Sequence, residues 1–79
     1  MRILFFAQLK DVTGCGSVDW EEVGSLTAAE LWRRLERQWP ALRAHREVTR
    51  LARNCEFVGD DATFDTGDEV ALIPPVSGG

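Results

Sequence analysis

The spacing of apolar residues along the chain separates candidate strands from candidate helices. The continuous apolar run at residues 3–6, Ile-Leu-Phe-Phe, is typical of a strand covered on both faces, so we predict a first strand over residues 2–8. A turn region is expected over residues 10–17, because glycines interrupt the pattern there. Looser alternation over residues 17–23 then predicts a second strand that returns as a hairpin.

One segment has the period of an amphipathic helix. Its apolar residues recur three or four positions apart with charged residues between them; they are Ala28, Leu31, Trp32, Leu35 and Trp39. Thr27 followed by Glu30 is typical of a capping box, and Leu26 before the cap is placed to form a hydrophobic staple with Leu31. Pro40 bars the helical conformation for the residue before it and so predicts the end of the helix.

The remaining pattern predicts further strands separated by acidic turns. Residues 41–47 are ambiguous, and a helical turn is one interpretation. We predict one or two strands over Thr49–Val58 and a last strand over Glu69–Pro74. Residues 59–61 and 65–68 are expected to form turns, with a positive φ at the glycine of the second.

This order of elements is strand, strand, helix, strand, short strand, strand. The first and last strands are the most apolar on both faces, so we expect them side by side at the centre of the sheet. The prediction is an α+β protein with the β-grasp (ubiquitin-like) arrangement, a mixed sheet of about five strands crossed by one main helix. At 79 residues, we expect a single domain over residues 1–79, with residues 74–79 as an extended, flexible tail.

Pleating predicts an apolar surface on the side of the sheet away from the helix, because successive strand side chains point to opposite faces. The residues expected to face the helix are Ile3, Phe5, Val70 and Leu72. Those expected to face the opposite way are Leu4, Phe6, Ala71 and Ile73, with Phe57 extending the patch. A contiguous apolar patch is typical of a protein interface, while scattered exposed apolar residues are the alternative.

Charge is modest overall and unevenly placed. The net charge is −4; residues 30–53 carry seven arginines, whereas residues 54–79 carry six acids and neither lysine nor arginine. Nucleic acid is therefore not an expected partner, because its phosphates would repel the acidic half. A basic protein surface that receives the acidic half together with the tail is the preferred interpretation, and solvated charge without a specific role is the alternative.

The cysteines and the amino terminus indicate a location. Cys15 and Cys55 are too few for a disulfide framework and lack metal-ligand spacing, so we expect free thiols in a reducing compartment. The apolar run near Met1 is too short for a signal peptide or a membrane span. The expectation is a cytoplasmic protein with no membrane partner.

Conventional catalytic motifs are not convincing. Asp65-Thr66-Gly67 spells the aspartic-protease tripeptide, but that chemistry needs a second carboxylate at close range. Gly59-Asp60-Asp61 resembles a metal-binding pair only in spelling. His45 is the only histidine, and it has no obvious nucleophile or orienting partner. We expect no catalytic site within the chain, no metal and no bound cofactor.

The segment Ile-Pro-Pro-Val-Ser-Gly-Gly at residues 73–79 is the strongest candidate for chemistry. Pro74 and Pro75 cannot donate to a ladder and favour an extended path away from the sheet. Glycines lack Cβ atoms, so the end of the tail fits a channel too narrow for side chains. A carboxylate at Gly79, with a pKa of about 3.5, needs activation, for example as an acyl-adenylate, before it accepts a nucleophile. We interpret the tail as a tethered substrate, and an inert end is the alternative.

Four segments resemble the small, ubiquitin-like subunit of molybdopterin synthase (MoaD type, of the MoaD/ThiS sulfur carriers). They are ILFFAQLKDVTG at 3–14, LTAAELWRRL at 26–35, ARN at 52–54 and DTGDEVALIPPVSGG at 65–79. The resemblance covers nearly the whole chain, and the ending is its most specific part. Ser77 in place of threonine is a mild departure from the family pattern.

The resemblance implies a sulfur carrier of molybdenum-cofactor biosynthesis, with no acid–base chemistry of its own. It implies that an ATP-dependent, E1-like activating enzyme adenylates Gly79, which is then converted to a thiocarboxylate. The tail then inserts into the large catalytic subunit, where sulfur passes to cyclic pyranopterin monophosphate; the inserting residues are Pro74, Pro75, Val76, Ser77 and Gly78. The family's apolar partner face matches Phe6, Phe57 and Ile73.

Other functions remain open. A sulfur carrier for the thiazole of thiamin shares the Gly-Gly ending, although the Pro-Pro-Val tail and the length argue against it. A ubiquitin-like modifier would join Gly79 to lysines of target proteins. Lys10 is the only lysine, which disfavours chains of modifiers but not conjugation to other proteins. A binding module with an inert tail is the last alternative.

Overall fold

The computed structural model describes residues 1–21 and 24–75. Val76, Ser77, Gly78 and Gly79 of the tail lie outside the described residues, as does Val23 at the end of the predicted second strand. The strands are β1 (Arg2–Phe5), β2 (Ser17–Asp19), β3 (Leu26–Thr27), β4 (Arg50–Arg53), β5 (Glu56–Val58), β6 (Thr63–Phe64) and β7 (Glu69–Ile73). The helices are α1 (Gln8–Thr13), α2 (Ala28–Gln38) and a 3₁₀ helix (Pro40–Val48).

The main sheet has five strands in the order β2-β1-β7-β4-β5, and β3 pairs with β6 in a separate two-stranded sheet. β1 and β7 are parallel neighbours, while β1–β2, β7–β4 and β4–β5 are antiparallel. The first and last strands therefore lie side by side, as their apolar sequences predicted. A mixed five-stranded sheet crossed by one main helix is the β-grasp arrangement of the α+β class, which confirms the predicted fold.

Helix α2 begins at the predicted capping box. The Thr27 hydroxyl accepts a hydrogen bond from the Glu30 backbone N–H at 3.1 Å, and the Glu30 carboxylate accepts one from the Thr27 N–H at 2.9 Å. The Thr27 backbone N–H lowers the pKa of Glu30, with the Thr27 hydroxyl as the second cause. The helix ends before Trp39, whose φ of −131° is not helical, because Pro40 follows it.

The core lies between α2 and one face of the sheet. The four strand residues predicted to face the helix are at most 1% exposed; they are Ile3, Phe5, Val70 and Leu72. The helix contributes the buried side chains of Ala28, Leu31, Trp32 and Leu35. Trp39 is partly buried and meets Phe5 edge to face, with ring centroids 5.2 Å apart, a favoured aromatic geometry.

Helix α1 is the largest departure from the sequence prediction. The first strand ends at Phe5 rather than at residue 8, because the backbone turns at Ala7, where φ is 51°. α1 then spans Gln8–Thr13 and is closed by Gly14, whose φ is 76° and whose N–H donates to the Lys10 carbonyl at 2.8 Å. Within α1 only Leu9 is fully buried, so this six-residue helix has no readable apolar period.

Two further segments settle alternatives that the sequence had left open. The ambiguous residues 41–47 lie within the 3₁₀ helix, which buries Leu42, so the helical-turn interpretation is confirmed. The region over residues 49–58 forms two strands joined by a tight turn, in which Asn54 and Cys55 have φ values of 50° and 72°. Both positive values are typical of a two-residue type I′ hairpin.

The acidic turns are confirmed, but Gly67 does not supply a positive φ; the described glycines with positive φ are Gly14 and Gly24. The turn at residues 65–68 is closed instead by its own aspartates. The Asp68 N–H donates to the Asp65 carbonyl at 2.9 Å, and an Asp68 carboxylate oxygen accepts from the Asp65 N–H at 2.8 Å. The turn at 59–61 is closed by the Ala62 N–H, which donates to the Gly59 carbonyl at 3.2 Å.

Candidate functional site

The face of the five-stranded sheet turned away from α2, called here the open face, carries a continuous apolar row. Leu4 of β1 pairs with Ala71 of β7. Ala71 pairs in turn with Ala52 of β4, and Ala52 pairs with Phe57 of β5. Each alternates along its strand with a residue that faces the core, so all four side chains lie on the open face. The row therefore crosses four neighbouring strands.

The three residues predicted to contact a partner belong to this surface or adjoin it. Phe57 is 55% exposed and Phe6, which follows β1 directly, is 45% exposed. Ile73 is half-buried and lies two residues after Ala71, on the same side of β7. The pleating argument is confirmed, since the alternate residues of β7 are fully buried. The contact of Phe6, Phe57 and Ile73 with a partner stays a prediction.

The tail leaves the sheet at one end of this face. β7 ends at Ile73, where it is flanked by the end of β1 and the start of β4, because Leu72 pairs with Phe5 and Ile73 with Arg50. The next residue, Pro74, is buried, and Pro75 is exposed. The chain is therefore buried as far as Pro74 and becomes exposed at Pro75, at the end of the open face where β7 stops.

Arg50 is a charged residue of the open face that the sequence reasoning missed. Its guanidinium carbon lies 4.2 Å from the centroid of the Phe57 ring, a cation–π contact between two exposed side chains. Arg50 precedes Ala52 by two residues and so lies on the same face of the sheet. This placement can be predicted from the sequence once the bounds of β4 are known. It stands opposite Ile73, next to the root of the tail.

Much of the acidic half lies at the other end of the sheet from the tail. The 65–68 turn precedes β7, whereas the tail follows it, and the five residues of β7 separate them by roughly 16 Å at about 3.3 Å per residue. Asp60 and Asp61, on the turn after β5, are the acids toward the tail end. A basic surface that receives the acidic half together with the tail would have to span this distance, and that expectation stays a prediction.

The acidic cluster at residues 65–69 has a structural role. One Asp68 carboxylate oxygen accepts from the Asp65 N–H, and the other accepts from the Asn54 side-chain amide at 3.0 Å. The Asn54 side-chain oxygen in turn accepts from the Glu69 N–H at 3.0 Å. The Asp65 N–H is the largest cause that lowers the pKa of Asp68, followed by the Asn54 amide. The cluster ties the β4–β5 hairpin to the start of β7.

The structure gives no support to the motifs set aside above. Asp65-Thr66-Gly67 and Gly59-Asp60-Asp61 are turns, and no cluster of three or more His, Cys, Asp or Glu that could hold a metal occurs among residues 1–21 and 24–75. Cys15 is half-buried and Cys55 exposed, and neither is in a disulfide. In the part of the chain that the structure describes, no helix is long and apolar enough to cross a membrane.

Comparison with known proteins agrees with this geometry. The ThiS family profile matches residues 3–79. The chain is 37% identical over 81 residues to the molybdopterin synthase sulfur carrier subunit of Dictyostelium discoideum, a match that covers 99% of this chain and 94% of that protein. It is 34% identical over 82 residues to the subunit of the same name from Homo sapiens, with coverage of 100% and 93%.

A solved structure shares the whole fold. The crystal structure of SAMP1, a small archaeal modifier protein from Haloferax volcanii, matches with a TM-score of 0.80 at 31% identity and covers 100% of this chain and 98% of that one. The resemblance found in the sequence is thereby confirmed over nearly its full length. With a β-grasp sheet, a partly exposed apolar face and two prolines after its central strand, the chain belongs to the ThiS family.

Proposed function

We propose that this protein carries sulfur for the synthesis of molybdopterin, with Gly79 as the residue that bears the sulfur. The observation that supports the proposal most strongly is the position of the tail. It follows the central strand β7 at the end of a partly exposed apolar sheet face, in a chain whose relatives are named molybdopterin synthase sulfur carrier subunits. One surface for docking and one extension for delivery then lie side by side.

The chemistry follows from the reactivity of the terminal group. A carboxylate is a poor electrophile, so we propose that an E1-like enzyme first joins the Gly79 carboxylate to the AMP part of ATP and releases pyrophosphate. A nucleophile at the oxidation level of sulfide then displaces AMP and leaves a thiocarboxylate, whose sulfur is nucleophilic at neutral pH. In the large synthase subunit this sulfur bonds to a carbon of cyclic pyranopterin monophosphate, and water then breaks its bond to the Gly79 carbonyl carbon and restores the carboxylate.

The protein's own contribution is delivery rather than catalysis. We propose that Phe6, Phe57 and Ile73 dock the carrier on the large subunit, because exposed aromatic anchors dominate the energy of protein interfaces. The tail residues after the buried Pro74 then occupy a channel that excludes water from activated intermediates; these residues are Pro75, Val76, Ser77 and Gly78. Acid and base groups are supplied by the partner enzymes, and ATP binds to the activating enzyme.

A reconstituted synthase assay tests this role. The chain, the activating enzyme, ATP, a sulfur donor and the large subunit are combined, and conversion of cyclic pyranopterin monophosphate is measured. Deleting Gly79 should abolish conversion while the urea midpoint of unfolding stays unchanged, because the described core ends at Pro74. Ser77→Thr, which keeps the tail length and its last two glycines, is the matched control and should retain conversion. Full conversion by the Gly79 deletion would refute the proposal.

Protein modification is a second candidate, supported by the structural match to SAMP1. In that case Gly79 would form isopeptide bonds with lysines of other proteins. An affinity-tagged chain, expressed in its native cell and purified under denaturing conditions, distinguishes the two roles. Covalent adducts that disappear when Gly79 is deleted support modification, whereas free chain with a thiocarboxylate supports the carrier role alone.

A further inference from the structure

We propose that Arg50 pairs with a carboxylate of the large synthase subunit and thereby fixes the docked position of the carrier at the root of the tail. This inference rests on the proposed function, because it assumes that the open face docks on that subunit. Arg50 is offered as a positioning residue, because it would act through the docked position of the carrier rather than on the reacting atoms.

Arg50 places a positive charge at the root of the tail, in a chain whose net charge is −4. At the far end of the open face, Arg2 already has an acidic neighbour, with Asp19 at 3.7 Å. At the tail end, Arg50 has none, since no carboxylate of residues 1–21 and 24–75 forms an ion pair with it. Asp60 and Asp61 lie on the nearby turn and do not pair with Arg50 either. A docking surface that covers Arg50 must therefore supply its counter-charge or bury it unpaired, which costs free energy.

The Arg50 side chain is already held in place for such a contact. The contact with the Phe57 ring at 4.2 Å restrains the guanidinium and reduces the side-chain entropy that a new contact would cost. A planar guanidinium matches the two oxygens of a carboxylate in a bidentate hydrogen-bonded pair. Because Phe57 and Ile73 flank Arg50, the pair would form inside the apolar contact area, where water screens it less.

The chain offers a matched control in Arg34. Its guanidinium carbon lies 4.6 Å from the ring centroid of Trp20, so it too is stacked on an aromatic ring, but it belongs to α2 on the opposite side of the sheet. Arg50→Gln and Arg34→Gln change the net charge equally and each removes one stacked cation. Any long-range effect of net charge therefore cancels between the two variants.

The test measures the dissociation constant of the full chain for the large subunit by calorimetry, at low and at high salt. Arg50→Gln should weaken binding about fivefold to tenfold at low salt, and less at high salt, whereas Arg34→Gln should change it less than about twofold. Arg50→Lys keeps the positive charge but lacks the paired N–H donors of the guanidinium and its contact with the Phe57 ring. This variant should therefore bind more tightly than Arg50→Gln but less tightly than the unsubstituted chain. In the synthase assay, Arg50→Gln should raise the KM for the carrier and leave kcat unchanged.

Two results would overturn this inference without touching the carrier role. One is equal binding by Arg50→Gln and Arg34→Gln while the unsubstituted chain binds and supports conversion. The other is an effect of Arg50→Gln confined to the KM of the activating enzyme, which would place the acidic partner group there. Failure of the unsubstituted chain to bind the large subunit at all would instead contradict the proposed function itself.

Discussion

Truncating Phe57 should separate docking from folding. The ring is 55% exposed in the free protein, and an aromatic side chain presents about 150–250 Å² in total. Docking on the open face would therefore bury roughly 100 Å² of this ring, which at about 25 cal/mol per Å² amounts to about 2.5 kcal/mol. We expect Phe57→Ala to raise the dissociation constant for the large subunit by roughly 50-fold.

The effect on folding should be smaller than the effect on docking, because more than half of Phe57 is exposed in the free chain. Val48 provides the control: it is also 55% exposed but lies on the 3₁₀ helix, outside the open-face row. Val48→Ala should leave binding within about twofold, and neither variant should lower the free energy of unfolding by more than about 2 kcal/mol. Calorimetric titration and urea unfolding measure the two quantities. The docking assignment fails if Phe57→Ala and Val48→Ala bind the large subunit equally well.

Three further predictions concern stability. Leu72→Ala, at a fully buried site of the central strand, should lower the free energy of unfolding by about 2–5 kcal/mol in urea titrations; a loss below 1 kcal/mol would contradict the assigned core. Cys55→Gly should raise the free energy of unfolding by about 1 kcal/mol, because φ is 72° at this position and glycine adopts a positive φ without steric cost. The pKa of Asp68 is lowered from its ordinary value of 3.8, so its contribution is present above pH 3.8 and is lost as the pH falls through the lowered value. Asp68→Asn should therefore lower the free energy of unfolding at neutral pH and make that free energy depend less on pH in the acid range. An unchanged pH dependence in the acid range would contradict this assignment.

Features that extend over several consecutive residues were predicted correctly from the sequence. They are the capping residue Thr27, the helical period through Leu35 and the apolar run of β1. From them the core residues and the central position of the first and last strands could be predicted. The two faces of β7 also followed, because pleating leaves no choice once Val70 is assigned to the core.

Other features depend on contacts between distant segments and were not readable. Helix α1 buries one leucine fully, so its period is too short to detect. Asn54 is tied to the start of β7 by hydrogen bonds across 14 and 15 residues, and only the folded strands bring these groups together. The position of Arg50 at the tail root, and the separation of the 65–69 acids from it, also required the strand register.

The open face and the tail form the link between structure and proposed role. An apolar row across four strands gives a docking surface, and the chain becomes exposed at Pro75, at the end of that surface. These features fit the proposed role, in which the domain would take part in a reaction by carrying Gly79 to a partner enzyme.

The most direct test is the intact mass of the full chain after incubation with the activating enzyme, ATP and a sulfur donor. The account predicts a species in which one oxygen is replaced by sulfur, located at Gly79 by fragmentation and absent when ATP is omitted. A chain that keeps its carboxylate under these conditions, while a known carrier in the same mixture is converted, would contradict the account.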